Sequence, residues 1–433
     1  MNLESFKSPG LQRWLKSAHP ILFTLYTALA AFCLYTCVYA FRKSFSAATF
    51  EGIQYLGIDF KAWLVIFQVM GYASSKFAGI KVISELKAKS RSMGILLMIA
   101  IAGSSWLLFA VVPAPYNIIF LFTNGFPLGL VWGMVFGFLE GRRNTDVLGA
   151  ALAVSFIFSA GFCRSVGGIL IRDWHVSETW MPLTAGLLFL IPLLIFLWLL
   201  NQVPPPSQRD EELRTHRQPM LPHERNAFVR QFFPGLLCIV LMYALLTTFR
   251  EFRDNFSADV WKSLGYGHLP EIYTTTEIPV SIVCLVVIGS LVFIKKNSLA
   301  LQVIHMMVLA GMVLVGVATF SFQQGWIGAP VWMTLNGIGL YLGYIPFNSS
   351  FFDRLLATFR VAGTVGFVMY LADSIGYLGS IPVLLYKTIG RQNLSYLDFF
   401  IDGAYVVSIA GSVLIVGAMF YFYRKAQTFE RTQ

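Results

Sequence analysis

The sequence predicts an all-α membrane protein of twelve transmembrane helices in two pseudo-symmetric six-helix bundles. Three observations carry this: an apolar composition with few charges, twelve runs long enough to cross a bilayer, and a motif repeated in register between the halves. Of 433 residues, 56% are hydrophobic and 12% charged, about half the charged share usual in a soluble domain. One aqueous core cannot bury that much apolar surface, so lipid is the expected solvent for most of it.

Each crossing needs about 20 apolar residues. The first half supplies runs at 20–48, 61–83, 93–112, 116–140, 147–171 and 180–202. The second supplies runs at 232–258, 270–294, 299–320, 326–352, 361–387 and 401–423. Between them lies the most polar stretch, rich in Pro and charge. The expected domains are therefore an N-terminal bundle at 1–203, a cytoplasmic linker at 204–230 and a C-terminal bundle at 231–433.

A net charge of +10 does not indicate nucleic acid here, because the cations cluster between apolar runs. Lys81, Lys87, Lys89 and Arg91, then Arg142 and Arg143, Lys295 and Lys296, and Arg354 and Arg360 alternate with cation-poor loops such as VVPAPYN. By the positive-inside rule both termini are cytoplasmic, and the expected location is a plasma membrane, the inner one in a bacterium. The first twenty residues read as a basic amphipathic segment on that surface rather than a cleaved signal.

The halves resemble each other. FRKSFSA at 41–47 and FRDNFSA at 252–258 share five of seven residues at an offset of 211. Asn124-Gly125 and Asn336-Gly337 recur at 212, and Gly149 and Gly363 at 214. Matches at near-constant offset indicate a duplicated unit, the plan of transporters that rock one half against the other around a central site.

Charge inside the membrane is costly and is kept where it faces protein or water. Here it is mostly cationic: Arg42 and Lys43 in span one, Lys76 in span two, Arg164 in span five, Arg250 and Arg253 in span seven. These are the candidate substrate-binding residues. Asp254, Glu277 and Asp373 are the candidate ion-pair or coupling acids, and Glu251 adjoins the span-seven arginines. Two plainer readings compete: Arg42 snorkels to an interface, or Arg250, Glu251, Arg253 and Asp254 pair among themselves. Lys76 and Arg164 have no acid near them in sequence. Guanidinium favours phosphate or carboxylate through paired donors.

The remaining features point to structure. The five cysteines sit in apolar runs and read as free, buried thiols. Trp174, Trp180, Trp261 and Tyr266 read as interface anchors. The six histidines lie mainly in loops or at span ends without metal-ligand spacing, and no phosphate-binding glycine loop appears, so no metal, cofactor or ATP is expected. No nucleophile–base pair suggests an enzyme.

At the charged residues the sequence resembles the organophosphate:phosphate antiporter branch of the major facilitator superfamily, which includes glycerol-3-phosphate and hexose-phosphate transporters. YAFRKSFSAA matches its span-one Arg-Lys pair at Arg42 and Lys43. GYASSKFAG loosely matches its Tyr-Gly-x-Ser-Lys pattern at Lys76, and CRSVGG places Arg164 where that branch has a basic residue before Val-Gly-Gly. An ungapped match puts the second phosphate arginine at Arg250, whereas the internal repeat favours Arg253. Glu277 matches an acid in span eight, and Gly-Tyr-Leu-Gly at 376–379 a motif in span eleven. After span two, GIKVISELKAKSR departs from the superfamily's Gly-x-x-x-Asp-Arg, which suggests a separate branch.

The resemblance implies the major facilitator fold and a secondary transporter of a small organic anion, an organophosphate first among them, working by rocker-switch alternating access; a monomer is expected. Arg42 and either Arg250 or Arg253 would hold the anion, Lys76 and Arg164 would add positive field, and Glu277 would hold a cation in the empty state. Inorganic phosphate or protons are the expected coupling species. The alternatives are a proton-coupled symporter or exporter of a carboxylate or amphipathic anion, with Glu277 or Asp373 carrying the proton, and a membrane sensor of such an anion.

Overall fold

The computed structural model describes residues 8–86, 90–139, 142, 145–205, 222–361, 365–387 and 394–431. Lys87, Lys89, Arg143, Gly363 and linker residues 206–221 lie outside these. The first half forms α1 (Pro9–Ser17), α2 (Pro20–Lys43), α3 (Phe60–Glu85), α4 (Arg91–Val111), α5 (Ile119–Leu139), α6 (Thr145–Arg172) and α7 (Met181–Asn201). The second forms α8 (Pro222–Asn255), α9 (Ser257–Ser263), α10 (Ile272–Gly289), α11 (Asn297–Gln323), α12 (Ala329–Ser349), α13 (Phe351–Thr358), α14 (Val365–Leu385) and α15 (Tyr396–Arg431).

Leaving the short α1, α9 and α13 aside, each expected span holds one long helix. Among the described residues, nine helices have the length and apolarity of a membrane crossing. Of the others, α3 and α12 are more polar, and α14 contributes the shorter apolar stretch Ala372–Leu385. A helix is the natural solution here, because it satisfies its backbone hydrogen bonds internally where no water can. α1 is the amphipathic N-terminal segment; its Ser8 side chain caps the Leu11 N–H, and Leu15 is buried.

The outward faces of the long helices carry exposed apolar residues. Ile21, Leu22, Leu25 and Leu29 of α2 and Val406, Ile409, Val413 and Val416 of α15 are all exposed, as a lipid-facing surface requires. The most apolar stretches of α5 and α6 are 67% buried, against 28% in α7 and α15, so the first pair is interior and the second peripheral.

The chain divides into two compact units. Unit one is Met1–Arg214, Asp254–Thr275 and Leu384–Gly390; unit two is Thr215–Arg253, Thr276–Val383 and Arg391–Gln433. The boundary falls inside α8, so the segment after Arg253 belongs with the first half of the chain. In unit one, α5 packs on α3 and α4 while α2 packs on α6 and α7. The α3–α5 approach is close: a Cβ on Gly125 would collide with the Gln68 carbonyl, and one on Gly71 with that of Phe122. In unit two, α11 packs on α12, α13 and α15, with Gly311 and Gly339 at the crossing.

The first crossing runs over Pro20–Ala47, close to the expected 20–48, with α2 passing at Lys43 into a 3-10 turn, Ser44–Ala47. Several expectations need correcting. α8 begins at Pro222, inside the stretch expected as linker. Trp261 is not an interface anchor: it is buried, edge-on to Tyr266. His305 sits buried within α11, its Nδ1 bonded to the Leu301 carbonyl, not at a helix end. All five cysteines are free, but Cys33 and Cys238 are only partly buried.

Candidate functional site

In unit one the site begins where α2 runs out. The last carbonyls of a helix lack partners of their own, and in a dry interior each must be satisfied. Here other helices supply them. Trp106 Nε1 donates to Phe41 O at 2.6 Å, Asn124 Nδ2 to the same oxygen at 3.1 Å, and Gln68 Nε2 to Arg42 O at 2.9 Å. Gln68 also donates to Asn124 Oδ1 at 3.0 Å, which ties α3 to α5. This lattice holds the backbone of Arg42 from three sides.

The Arg42 side chain is 3% exposed, which excludes a snorkelling arginine. Its guanidinium carbon lies 3.6 Å from the centroid of the Tyr72 ring, and Lys76 Nζ lies 4.8 Å from the same centroid. One electron-rich ring thus supports two cations, an attraction strongest where water is excluded. Buried Tyr35 and Tyr39 stand beside each other on α2 and contact Phe156 of α6.

Lys43 and Arg164 are buried in unit one but engage other partners. Lys43 Nζ donates to Asn255 Oδ1 at 2.8 Å. Arg164 donates from Nε to Ala160 O, and from Nη1 to Asp254 O at 2.9 Å and Ser257 Oγ at 2.8 Å, while Nη2 lies 3.7 Å from Asp254 Oδ1. The acid that Arg164 lacks in sequence is therefore supplied by folding. Lys61, which the sequence did not single out, is buried and pairs with Asp259 at 2.7 Å.

In unit two the span-seven arginines diverge. Arg250 Nη2 donates to Glu251 Oε1 and to the Tyr377 hydroxyl, each at 2.7 Å, with its guanidinium 4.4 Å from the Tyr344 ring centroid. Arg253 Nη1 donates to Glu277 Oε1 at 2.6 Å and Nη2 to Met333 O at 3.2 Å. Gly337 permits this, since a Cβ there would press on Arg253 Nη2. Of the four span-seven charges, Arg250 pairs with its neighbour Glu251, whereas Arg253 pairs with Glu277 of α10. Asp373, half-buried, accepts a 2.6 Å bond from the Tyr243 hydroxyl, which lies 3.0 Å from that of Tyr344.

The comparisons with known proteins now bear on the fold. The family model described as "Family of unknown function (DUF5690)" matches residues 44–425. The chain belongs to that family. None of the curated proteins matches it by sequence. Among solved structures it is similar to a D-xylose-proton symporter, with TM-score 0.58 and 14% identity over 93% of this chain and 97% of that one. It is also similar to a bacterial homologue of the human drug peptide transporters PepT1 and PepT2, with TM-score 0.60 and 12% identity over 93% and 99% of the two chains. At these identities the likeness is one of fold. The chain has the major facilitator fold, with the several apolar helices of a multi-pass membrane protein.

Sequence reasoning singled out charges and overlooked what holds them. Besides Lys61, it gave no role to Tyr243 and Tyr344, nor to Tyr72 and Tyr377, which it met only as parts of matched motifs. A tyrosine one helical turn before an intramembrane lysine, as Tyr72 stands to Lys76, was the available signal.

Proposed function

We propose that this DUF5690 protein is a secondary transporter of a small organic anion, with phosphate esters the first class to test, acting by alternating access. The observation that carries the reading is the sign of the buried charge in unit one. Arg42, Lys43, Lys61, Lys76, Arg164 and Lys387 are buried there, against Asp254 as the buried carboxylate among the described residues. Such an excess in a water-poor interior raises the local concentration of an anion and favours its binding. Arg42 and Lys76 on the Tyr72 ring are the primary anion-contacting residues, with Arg250 or Arg253 as the arginine of unit two. The membrane is a plasma membrane, the inner one in a bacterium, with both termini cytoplasmic.

The test is a thermal-shift screen of the purified protein against phosphate, phosphate esters, carboxylates and amphipathic anions, because a ligand that binds the folded state stabilises it. Stabilisation by phosphate and a phosphate ester, lost in Arg42→Ala, supports the reading. Silence from every anion, with a shift from a neutral sugar or peptide instead, overturns it.

A second reading has its own observation. Asp373, only half-buried and accepting a hydrogen bond from the Tyr243 hydroxyl, is a candidate proton carrier, and one structural neighbour is named a proton symporter. Proton coupling predicts that accumulation in Asp373→Asn vesicles no longer follows an imposed proton gradient, while exchange of substrate for substrate continues.

A further inference from the structure

The chain between α2 and α3 forms a β-hairpin with a strained, apolar tip. β1 (Gln54–Tyr55) pairs antiparallel with β2 (Ile58–Asp59), Gln54 facing Asp59 and Tyr55 facing Ile58. Leu56 and Gly57 alone make the turn, and both have positive φ, +54° and +71°. Such a turn ordinarily takes Asn or Asp before Gly, because their short polar side chains tolerate left-handed backbone. Here the place goes to a leucine that is 75% exposed, with Ile53 and Tyr55 exposed beside it. Turn geometry does not account for a large apolar residue at this position. An apolar environment outside the chain does.

The neighbouring helix identifies that environment. Between Phe60 and Phe77, the residues of α3 that are not buried are Trp63, Phe67, Met70, Ser74 and Phe77. Steps of four and three residues put them on one helix face, and all but Ser74 are large and apolar, as a lipid-facing stripe requires. The hairpin continues this stripe at its end. Trp63 Nε1 donates to Tyr55 O at 2.9 Å, and the Trp63 ring meets Tyr55 and Phe67 edge-on, each at 6.3 Å between centroids. Phe60 N donates to Ile53 O at 3.0 Å. The height agrees as well. At 1.5 Å per residue, the 26 residues of α3 span about 39 Å, roughly 9 Å more than a hydrocarbon core. Trp63, in the first turn, therefore falls at the membrane boundary, where Trp and Tyr concentrate.

We propose that the hairpin at 53–58 is a membrane-surface anchor, with Ile53, Tyr55 and Leu56 inserted among the phospholipid headgroups and glycerol backbones. It serves the leaflet opposite α1, since α1 and the hairpin lie at the two ends of α2. Phospholipid fits better than a second copy of the chain, because the patch is only three side chains wide and continuous with the lipid-facing stripe of α3. Through the Trp63–Tyr55 bond the anchor fixes the end of α3, the helix that carries Gln68, Tyr72 and Lys76. The anchor is independent of which solute the protein carries.

The full chain in phosphatidylcholine nanodiscs provides the test. Ile53→Cys is the reporter and Ser263→Cys the reference, both sites being exposed in the protein itself. Reaction with a charged maleimide is followed by mass spectrometry of each peptide, which keeps these thiols apart from the native cysteines. Ile53→Cys should react about tenfold more slowly than the reference, because withdrawing the tip from lipid exposes Leu56 to water. Adding Leu56→Asn should restore most of that factor, and Asn suits the turn, so the hairpin still forms. A phosphatidylcholine with a photoreactive diazirine near its glycerol should crosslink to the peptide containing 53–58, and about threefold less or weaker still in Leu56→Asn. Equal maleimide rates at the two sites overturn the anchor. So does protection that Leu56→Asn leaves unchanged. Protection without lipid crosslinking also overturns it, and assigns the tip to another protein chain.

Discussion

Lys43 and Asn255 join the two copies of one motif: the ammonium donates to the amide oxygen at 2.8 Å with both residues buried. In the repeat, Lys43 corresponds to Asp254 and Ser44 to Asn255, so the copies agree in their apolar residues and differ where they touch. Complementary pairing needs that difference, because two identical cationic ends would repel.

The first prediction concerns that bond. Asn255→Leu leaves a buried ammonium without this acceptor, which costs roughly 1–3 kcal/mol. Thermal unfolding followed with a thiol-reactive dye, which reports exposure of the cysteines, should show a lower midpoint. An unchanged midpoint removes the bond from any account of stability.

Asn124 and Asn336 are repeat partners with unequal work. Asn124 bonds Phe41 O, Ala102 O and Gln68, whereas Asn336 bonds Thr319 Oγ1 and Trp332 O one turn back on its own helix. Asn124→Leu strips three interhelical bonds and should cost at least about 2 kcal/mol. Asn336→Leu should cost clearly less in the same unfolding assay.

Gly125→Ala and Gly289→Ala make a steric pair. The first places a methyl against the Gln68 backbone carbonyl, and the second meets nothing within 4 Å. Backbone cannot yield as a side chain does, so Gly125→Ala should force α3 and α5 apart and lower the yield of monodisperse protein. Gly289→Ala should behave as wild type.

The Tyr72 ring can be tested apart from its charges. Tyr72→Phe keeps the face under Arg42 and Lys76, and Tyr72→Leu removes it. Loss of a desolvated cation–π contact is worth on the order of 2 kcal/mol, so anion-induced stabilisation should persist in Phe and fall in Leu. Equal loss in both assigns the role to the hydroxyl instead.

A pH prediction follows from Glu51, an exposed loop residue whose carboxyl is held below the usual carboxylate range by its hydrogen bond and charge contact with Lys262. A depressed acid stabilises above its unfolded pKa and loses that contribution as pH falls through the folded value. The stability difference between wild type and Glu51→Gln should thus be constant at neutral pH and vanish in acid. As a surface pair it is worth at most about 1 kcal/mol, and a difference that grew on acidification would contradict the assignment.

How far the sequence could be read depends on where each feature gets its energy. Burial of Arg42, Lys76, Arg164 and the span-seven arginines was legible, because a charge within an apolar run has few places to go except the protein interior. The choice between Arg250 and Arg253 was not legible. It turns on Glu251, Tyr377, Glu277 and Met333, three of which lie on other helices and enter only through packing.

The sequence by itself determined a helical membrane fold, a duplicated plan and a cationic interior. Composition, run length and repeats are local properties of the chain, and solvation in lipid acts on them directly. Only the tertiary structure decided that Arg164 meets Asp254 across 90 residues of chain, that Lys43 meets Asn255, and that Trp261 and His305 are buried. The physical reason is that hydrogen bonds and ion pairs are short-ranged and directional. Which partners meet is therefore set by helix packing, and no spacing along the chain encodes it.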